Sequence, residues 1–274
     1  IEKKFKKVVI GMLDPNEKVA GKSIEKLKKH GIEVVVGVKE DECRSMNEIF
    51  IKYITSKIPF IILKSGISLD GKIATYTGES KWITSKESRE DSQNLRNRLH
   101  SIMVGVNTVI EDDPELTCRI NNKKNLIRII VDSNLRIPLD SKVITNKDKC
   151  TIVATTLKAD EKKKQILKEL GIKVIEVQEK SNRVNLKELA KKLGEEGIDS
   201  ILIEGGGTLN FSALQEGIID KVRFYIAPKI IGGENSKSSI AGIGFSKLSD
   251  AVRLKNINYR TIGEDLVVEG YISK

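Results

Sequence analysis

The sharpest chemical signal in the chain is an acid followed by three glycines. In Ile201-Leu202-Ile203-Glu204-Gly205-Gly206-Gly207-Thr208-Leu209-Asn210-Phe211, an apolar run ends in a carboxylate, passes through the glycines and enters a helix starting near Thr208. Glycines let the backbone approach a ligand, and the free amides and positive dipole of a helix start attract phosphate. The segment therefore reads as a phosphate cradle at the carboxyl end of a strand, set against the plainer reading of a tight turn. It is not a GxGxxG fingerprint, and it lacks the lysine of a P-loop. Glu204 either accepts hydrogen bonds from a ligand or ties down the loop.

Cationic side chains recur in three other places. Thr84 and Glu87 form a capping-box pattern that starts a helix running to about Leu99. On it Arg89, Ser92 and Arg96 share one face, opposite Leu95 and Leu99, and by spacing alone that face is a solvated one. The segment from Gly105 to Arg119 joins a strand to a short helix that Thr108 and Glu111 can cap. It breaks at Asp112-Asp113-Pro114, because a residue before proline avoids the helical region. Arg96 and Arg119 could together clamp a phosphomonoester, since guanidinium forks pair with phosphate oxygens, although spacing does not show that they converge. Lys64 lies on a strand before a glycine turn, where a lone lysine is usually a surface residue, and Trp82 is the one tryptophan, usually a core anchor.

Several chemistries are excluded or disfavoured. Cys43, Cys118 and Cys150 are odd in number and far apart, which suggests neither disulfides nor a CxxC clip, and they read as structural. With only His30 and His100 beside them, no zinc site can be assembled, so no metal is expected. A formal net charge of +10 invites nucleic acid, but the lysines recur on helix positions that read as solvent-facing, as in Glu161 to Leu170 and Glu188 to Leu193. Aromatics at 4% leave few stacking platforms. No apolar run reaches the roughly 18 residues of a membrane span, and no leader opens the chain, so a soluble cytoplasmic protein is expected.

The elements that must position these residues alternate. After Pro59, short β-branched runs at Phe60 to Lys64, Ser101 to Val104, Arg128 to Val131, Thr151 to Ala154, Lys173 to Val177 and Ser200 to Glu204 are separated by amphipathic stretches. That is the pattern of an α/β domain with a largely parallel sheet. Val222 to Ala227 and Leu266 to Ile272 have no helix between them and should add antiparallel strands at one edge. Before Ser56 to Pro59, which mark a boundary near residue 57, a strand at Val8 to Met12, a helix from Ser23 to Lys29 closed by Gly31, a strand at Ile32 to Gly37 and a helix through Glu42 to Ile54 are expected. That part is too small to hold a good core alone.

Taken together and in order, these segments resemble the reductase domain of the bifunctional riboflavin-biosynthesis deaminase/reductase family, from about Pro59 to the C-terminus. The resemblance rests on Leu63-Lys64 with Ser68-Leu69-Asp70-Gly71, Gly78-Glu79-Ser80-Lys81-Trp82-Ile83-Thr84, Gly105-Val106-Asn107-Thr108, and Asp112-Asp113-Pro114 with Leu116-Thr117 and Arg119. Val131-Asp132-Ser133 with Arg136 and Pro138, and Glu204-Gly205-Gly206-Gly207, complete it. It implies a dihydrofolate-reductase-like fold, a mixed and mostly parallel sheet flanked by helices, over residues 57–274. Residues 1–56 hold Pro15-Asn16, Val19-Ala20-Gly21, Gly31-Ile32 and Asn47-Glu48, and resemble the closing part of the family's cytidine-deaminase-like domain. The deaminase catalytic motifs, and with them zinc, would lie upstream of Ile1, so a truncated or processed chain without deaminase activity is expected.

Carried over by position, the resemblance puts NADPH contacts at Gly66, Trp82, Thr108, Asp112, Ser133 and the loop Gly206, Gly207, Thr208, Leu209, Asn210, Phe211 and Ser212. It puts substrate contacts at Ser80, Arg96, Leu116, Arg119 and Glu204, and it matches Lys64 to a lysine that helps the chemistry. Arg96 and Arg119 would hold the substrate phosphate, Glu204 and Ser80 the sugar or pyrimidine, and Ser133 and Arg136 would neighbour the cofactor 2′-phosphate. The implied reaction reduces the ribosyl group of 5-amino-6-(5-phosphoribosylamino)uracil to the ribitylamino product. The partners implied are that small molecule, a second copy of the chain, and neither nucleic acid nor membrane. The alternatives are a reductase for the undeaminated 2,5-diamino pyrimidine or another enzyme of the dihydrofolate-reductase type and, more distantly, a non-enzymatic RNA-binding module.

Overall fold

The computed structural model describes residues 1–16, 18–19, 21–120 and 126–273; Ala20 of the Val19-Ala20-Gly21 segment lies outside the described residues. The N-terminal part runs β1 (Lys7–Ile10), α1 (Lys22–Lys29), β2 (Glu33–Val36), α2 (Glu40–Met46) and α3 (Glu48–Ser56), with β1 and β2 paired in parallel as a sheet of their own. The single helix expected through Glu42 to Ile54 is two helices. Asn47 ends the first of them, its side-chain amide donating to the Cys43 carbonyl (2.8 Å), a local bond that competes with helix continuation. Of the described residues before 57, only Ile32 and Glu48 are buried, in keeping with a segment that cannot form its own core.

The helix α3 docks instead on the part of the chain beyond Pro59. Ile49 packs against Phe60, Leu95 and Leu99, the Tyr53 hydroxyl donates to the Gly194 carbonyl (3.0 Å), and Lys52 pairs with Asp220. A side chain at Gly194 would stand 1.9 Å from the Lys57 carbonyl, so glycine is what lets this connection lie flat on the helix beneath.

The chain then forms β3 (Phe60–Ser68), α4 (Lys86–Arg98), β4 (Ser101–Gly105), α5 (Val106–Asp112), β5 (Ile127–Val131), α6 (Lys142–Thr145), β6 (Thr151–Thr156), α7 (Glu161–Glu169) and β7 (Lys173–Val177). A small hairpin β8 (Glu179–Lys180) and β9 (Arg183–Val184) precedes α8 (Leu186–Glu195), β10 (Ser200–Ile203), α9 (Gly207–Gln215), β11 (Lys221–Ala227), β12 (Leu254–Ile262) and β13 (Asp265–Ile272). Among the described residues nine strands make one sheet in the order β12-β13-β11-β3-β10-β4-β5-β6-β7. Pairing is parallel from β11 to β7 and antiparallel at β11–β13 and β13–β12. This is the mixed, mostly parallel sheet flanked by helices that the resemblance implied.

Both faces are covered, which is why the inner strands read as unbroken apolar runs. Alternation sends Ile61, Leu63, Ile201 and Ile203 to the side of α8 and α9, and Phe60, Ile62 and Leu202 to Leu95 of α4 and Leu99 just beyond it. No helix among the described residues is long and apolar enough to cross a membrane.

Several further expectations are corrected. The strand β11 is not an antiparallel edge strand: it lies in register beside β3, Lys64 opposite Arg223, because a parallel neighbour on β3 buries Val222 and Tyr225. The edge strand β12 escaped notice because most of it is exposed and no apolar run marks it. Lys164 is not on a solvated face. It is fully buried, its ammonium donating to Glu161 Oε1 (2.6 Å) and Glu176 Oε2 (2.7 Å), and two carboxylates make that burial tolerable. Finally, α4 is capped by Ser85, whose hydroxyl accepts from the Ser88 N–H (3.2 Å), rather than by Thr84 with Glu87; α5 begins at Gly105 with no side-chain cap from Thr108.

Candidate active site

The carboxyl ends of β3, β10, β4 and β5 open into one cavity of about 920 Å³, whose wall includes Lys64, Gly66, Ser80, Thr108, Asp112, Ser133, Arg136, Glu204 and the start of α9. Parallel sheets place their loops, and hence their ligands, at this edge. Because Leu63 pairs with Ile203, the next residues on the two strands, Lys64 and Glu204, come out side by side.

Glu204 is the centre of charge. Arg96, reaching from α4, donates from Nε to Oε1 (2.9 Å) and from Nη2 to Oε2 (2.8 Å), while Lys64 Nζ stands 3.7 Å from Oε2. Burial alone would raise the Glu204 pKa, but the charges of Arg96 and then Lys64, with the Arg96 hydrogen bonds, overcome it and hold the group at about 2. Burial likewise works against the Arg96 charge, yet Glu204 keeps its pKa above the ordinary value. Near neutral pH Glu204 is therefore a hydrogen-bond acceptor and not an acid. Behind Lys64 lies the ring of Tyr225, 5.4 Å from the ammonium to the centroid, and the Tyr225 hydroxyl donates to Asp91 Oδ2 (2.5 Å).

The three glycines have three different reasons. At Gly205 a Cβ would meet Leu209 Cδ2 at 2.8 Å, and at Gly207 it would meet the Ser238 carbonyl at 2.4 Å and the Ala241 Cβ at 2.8 Å. These two are demanded by packing within the protein. Only Gly206 faces open space, its nearest neighbour being Thr108 Oγ1 at 3.9 Å. Gly206 is also the N-cap of α9, with no side-chain cap and no acid in the first turn, so the first amides of the helix point toward the cavity. The strand, glycine turn and helix start read from sequence are present, and of the three glycines only Gly206 leaves room for a ligand to approach the backbone.

The structure brings most of the expected residues together. Lys64, Gly66, Ser80, Thr108, Asp112, Ser133, Glu204, Gly206, Gly207, Thr208, Leu209 and Ser212 all line the cavity. Asn210 and Phe211 do not. Asn210 donates to the Ser239 carbonyl (2.8 Å), and Phe211 meets Phe245 edge-on (5.4 Å), so both hold the 228–253 segment against α9. Leu116 is buried with φ 51° and lies outside the wall. Trp82 is no core anchor: it is 61% exposed, with the Arg89 guanidinium 4.4 Å from its ring.

Arg96 and Arg119 form no clamp here. The Arg96 fork is taken by Glu204 and, through Nη1, by the Thr117 carbonyl (3.0 Å), while Arg119 is exposed, off the cavity wall, and tied by its N–H to Gln93 Oε1 (2.9 Å). Ser92, expected on the polar face of α4 opposite Leu95, is buried with it.

Sequence reasoning missed Arg183 and Lys237, which also line the cavity, and the Asp91–Tyr225 pair. Lys237 pairs with Glu111 (2.5 Å) and so ties the 228–253 segment to α5. Ser181-Asn182, a turn-forming pair between charged residues, was the available signal for Arg183; nothing local in sequence marks Lys237.

A sequence profile described as "RibD C-terminal domain" matches residues 59–268. The riboflavin biosynthesis protein RibD of Actinobacillus pleuropneumoniae is 44% identical over 269 residues, covering 98% of this chain and 72% of that protein. Among solved structures, Acinetobacter baumannii RibD superposes with a TM-score of 0.83 at 33% identity, over 98% of this chain and 73% of its own. A Thermotoga maritima protein described as a diaminohydroxyphosphoribosylaminopyrimidine deaminase/5-amino-6-(5-phosphoribosylamino)uracil reductase gives a TM-score of 0.79 at 32% identity, over 99% and 73%.

Proposed function

Since the chain belongs to the RibD family of riboflavin biosynthesis proteins, its main body being the RibD C-terminal domain, we propose that it is the reductase of 5-amino-6-(5-phosphoribosylamino)uracil. The division into 1–56, a deaminase-like remnant, and 57–274, the reductase, is part of the same proposal and is supported by the separate β1–β2 sheet. The observation that carries the proposal is Glu204, set between Arg96 and Lys64 in the wall of a cavity that the open start of α9 also lines.

A nicotinamide cofactor, NADPH, fits this arrangement. The cavity is of the size that takes a cofactor together with a small substrate, and the uncapped amides behind Gly206 suit a pyrophosphate. When bound, the cofactor supplies the hydride that C1′ of the ribosyl group takes up. Gly66, Thr108, Asp112, Ser133 and Gly206 to Leu209 would hold it, with Ser212 beyond.

The remaining work falls to the protein. Glu204, ionised, accepts from a hydroxyl or N–H of the substrate and fixes C1′ in place, with Ser80 also in the cavity wall. Arg96 acts through Glu204 by fixing both carboxylate oxygens, and Arg119 enters by resemblance alone. Lys64 delivers the proton to the ribose oxygen released as the ring opens.

The test is loss of reduced-nicotinamide absorbance with the uracil substrate, run beside its undeaminated 2,5-diamino counterpart. Turnover of the uracil compound that disappears in Lys64→Ala is expected. NADPH binding without turnover of it, or turnover of the diamino compound alone, would contradict the proposal.

A further inference from the structure

The cavity that begins at Lys64 and Glu204 continues past the start of α9. There its wall is made by Ser133 and Arg136 from the loop after β5, Arg183 from the β8–β9 hairpin, and Ser212 from α9. These pieces are fastened to one another: the Val184 N–H donates to Ser133 Oγ (3.1 Å), and Arg183 Nη1 donates to Ser212 Oγ (3.2 Å). The hairpin turns through Ser181 and Asn182, both at positive φ (52° and 60°), as a two-residue turn that follows the strand twist requires. That turn sets the register and fixes where Arg183 leaves the backbone.

This end of the cavity carries two guanidinium groups, those of Arg136 and Arg183. Among the described residues neither Arg136 nor Arg183 has a carboxylate partner; their bonds run to the neutral oxygens of Asn107 (2.6 Å) and Ser212. Asp132, which also lines the cavity, is 1% exposed, pairs with neither arginine among the described residues, and accepts at Oδ2 from the Ile137 N–H (2.7 Å). Ser212 lies five residues along α9 from its first residue, about 7.5 Å at 1.5 Å per residue, too far for one phosphate to engage both the helix start and Arg183. The cavity therefore offers two separated anion positions.

A dinucleotide wall that meets a ribose diol carries a carboxylate, and one that meets a ribose 2′-phosphate carries an arginine. We infer that Arg183 is the residue that selects a 2′-phosphorylated dinucleotide over the unphosphorylated one, with Arg136 beside it, by receiving the 2′-phosphate on its guanidinium fork. The inference rests on the cofactor proposed above and extends it to a residue on a separate hairpin.

The test uses ligands that need no turnover: calorimetric binding of 2′,5′-ADP and of 5′-ADP to the whole chain and to its Arg183→Ala and Arg183→Lys variants. A charge-assisted phosphate bond corresponds to roughly a tenfold to hundredfold difference in affinity. The unaltered chain is expected to prefer 2′,5′-ADP by at least about tenfold. Arg183→Ala is expected to lose that preference while binding 5′-ADP unchanged, which also reports that it folds, and Arg183→Lys to recover part of it.

Undiminished preference in Arg183→Ala, or equal weakening of both ligands, overturns the inference. Discrimination through Arg183 in a protein that does not reduce the pyrimidine supports the inference and removes the proposed reaction. Equal turnover with NADPH and NADH overturns the inference and leaves the reaction standing.

Discussion

Glu204 and Glu269 are each held between a lysine and an arginine, Glu204 by Lys64 and Arg96, and Glu269 by Lys221 and Arg223. By composition the two constellations are the same, and both carboxyls are pushed below their ordinary pKa against the opposing effect of burial. Their surroundings differ. Glu269 sits opposite Arg223 in the β11–β13 ladder. Its cations are engaged again on their far sides, Arg223 by Asp91 (3.4 Å) and Lys221 by Glu48 of α3 (3.4 Å), so the chain closes on itself and ties the N-terminal part to the sheet. Glu204 stands at the end of its strand, with the cavity in front and one cation, Lys64, held at 3.7 Å instead of close contact. An ion cluster becomes a site when the fold leaves one side of it open; otherwise it is a fastening.

The same isosteric change should separate the two. Glu204→Gln is expected to lower kcat/KM about a hundredfold or more by releasing Arg96 and Lys64 from their partner, with a smaller loss of stability. Glu269→Gln is expected to leave kcat/KM within about twofold and to lower unfolding free energy by about 3 kcal/mol, the effect of removing one partner from a buried pair. Denaturant melts and steady-state kinetics on both variants check this, and a similar profile for the two would dissolve the comparison. Arg96→Ala comes next, with a tenfold to hundredfold loss in kcat/KM, since a charge-assisted hydrogen bond contributes roughly 1.5–3 kcal/mol; unchanged kinetics would remove Arg96 from the site.

Gly207→Ala sharpens the picture of the cradle. Its methyl group meets backbone and cannot be relieved by a rotamer change, so a loss of about 1–3 kcal/mol in stability is expected, with weaker NADPH binding as the start of α9 shifts. Gly206→Ala, facing open space, should melt like the unaltered protein and lose cofactor affinity only. Equal melting of the two variants would contradict the different reasons assigned to these glycines.

The smallest effect is in acid. The Glu204 carboxyl is depressed from 4.5 to about 2 in the folded chain, so the stability it contributes is fully present above pH 4.5 and lost as the pH falls toward 2. An acid titration of unfolding free energy should show this slope reduced in Glu204→Gln, and an unchanged slope would count against the ion cluster.

The succession of strands along the chain after Pro59 and the strand–glycine–helix turn were legible because each rests on local pattern: apolar runs bounded by turns, and a helix start behind glycines. The partnership of Arg96 with Glu204 was not, since 108 residues separate them and only the packing of α4 on the sheet brings them together. The face of α4 holding Arg89, Ser92 and Arg96 looked solvated, and Trp82 looked buried, because polarity predicts exposure only until a cavity or a cation supplies another partner. Lys164 fell to the same reasoning, as a lysine on an amphipathic helix that two carboxylates draw inside. The strand β12 and the Lys237–Glu111 tie carried no periodic or motif signal that sequence reading could use.

The most direct test of the account is NADPH oxidation with 5-amino-6-(5-phosphoribosylamino)uracil, measured in parallel for the unaltered chain, Glu204→Gln and Glu269→Gln at a temperature where all three are folded. Turnover kept by Glu269→Gln and lost by Glu204→Gln is the predicted result. Turnover that survives in Glu204→Gln, or that is absent from the unaltered chain although NADPH binds, would contradict the placement of the reaction at Glu204.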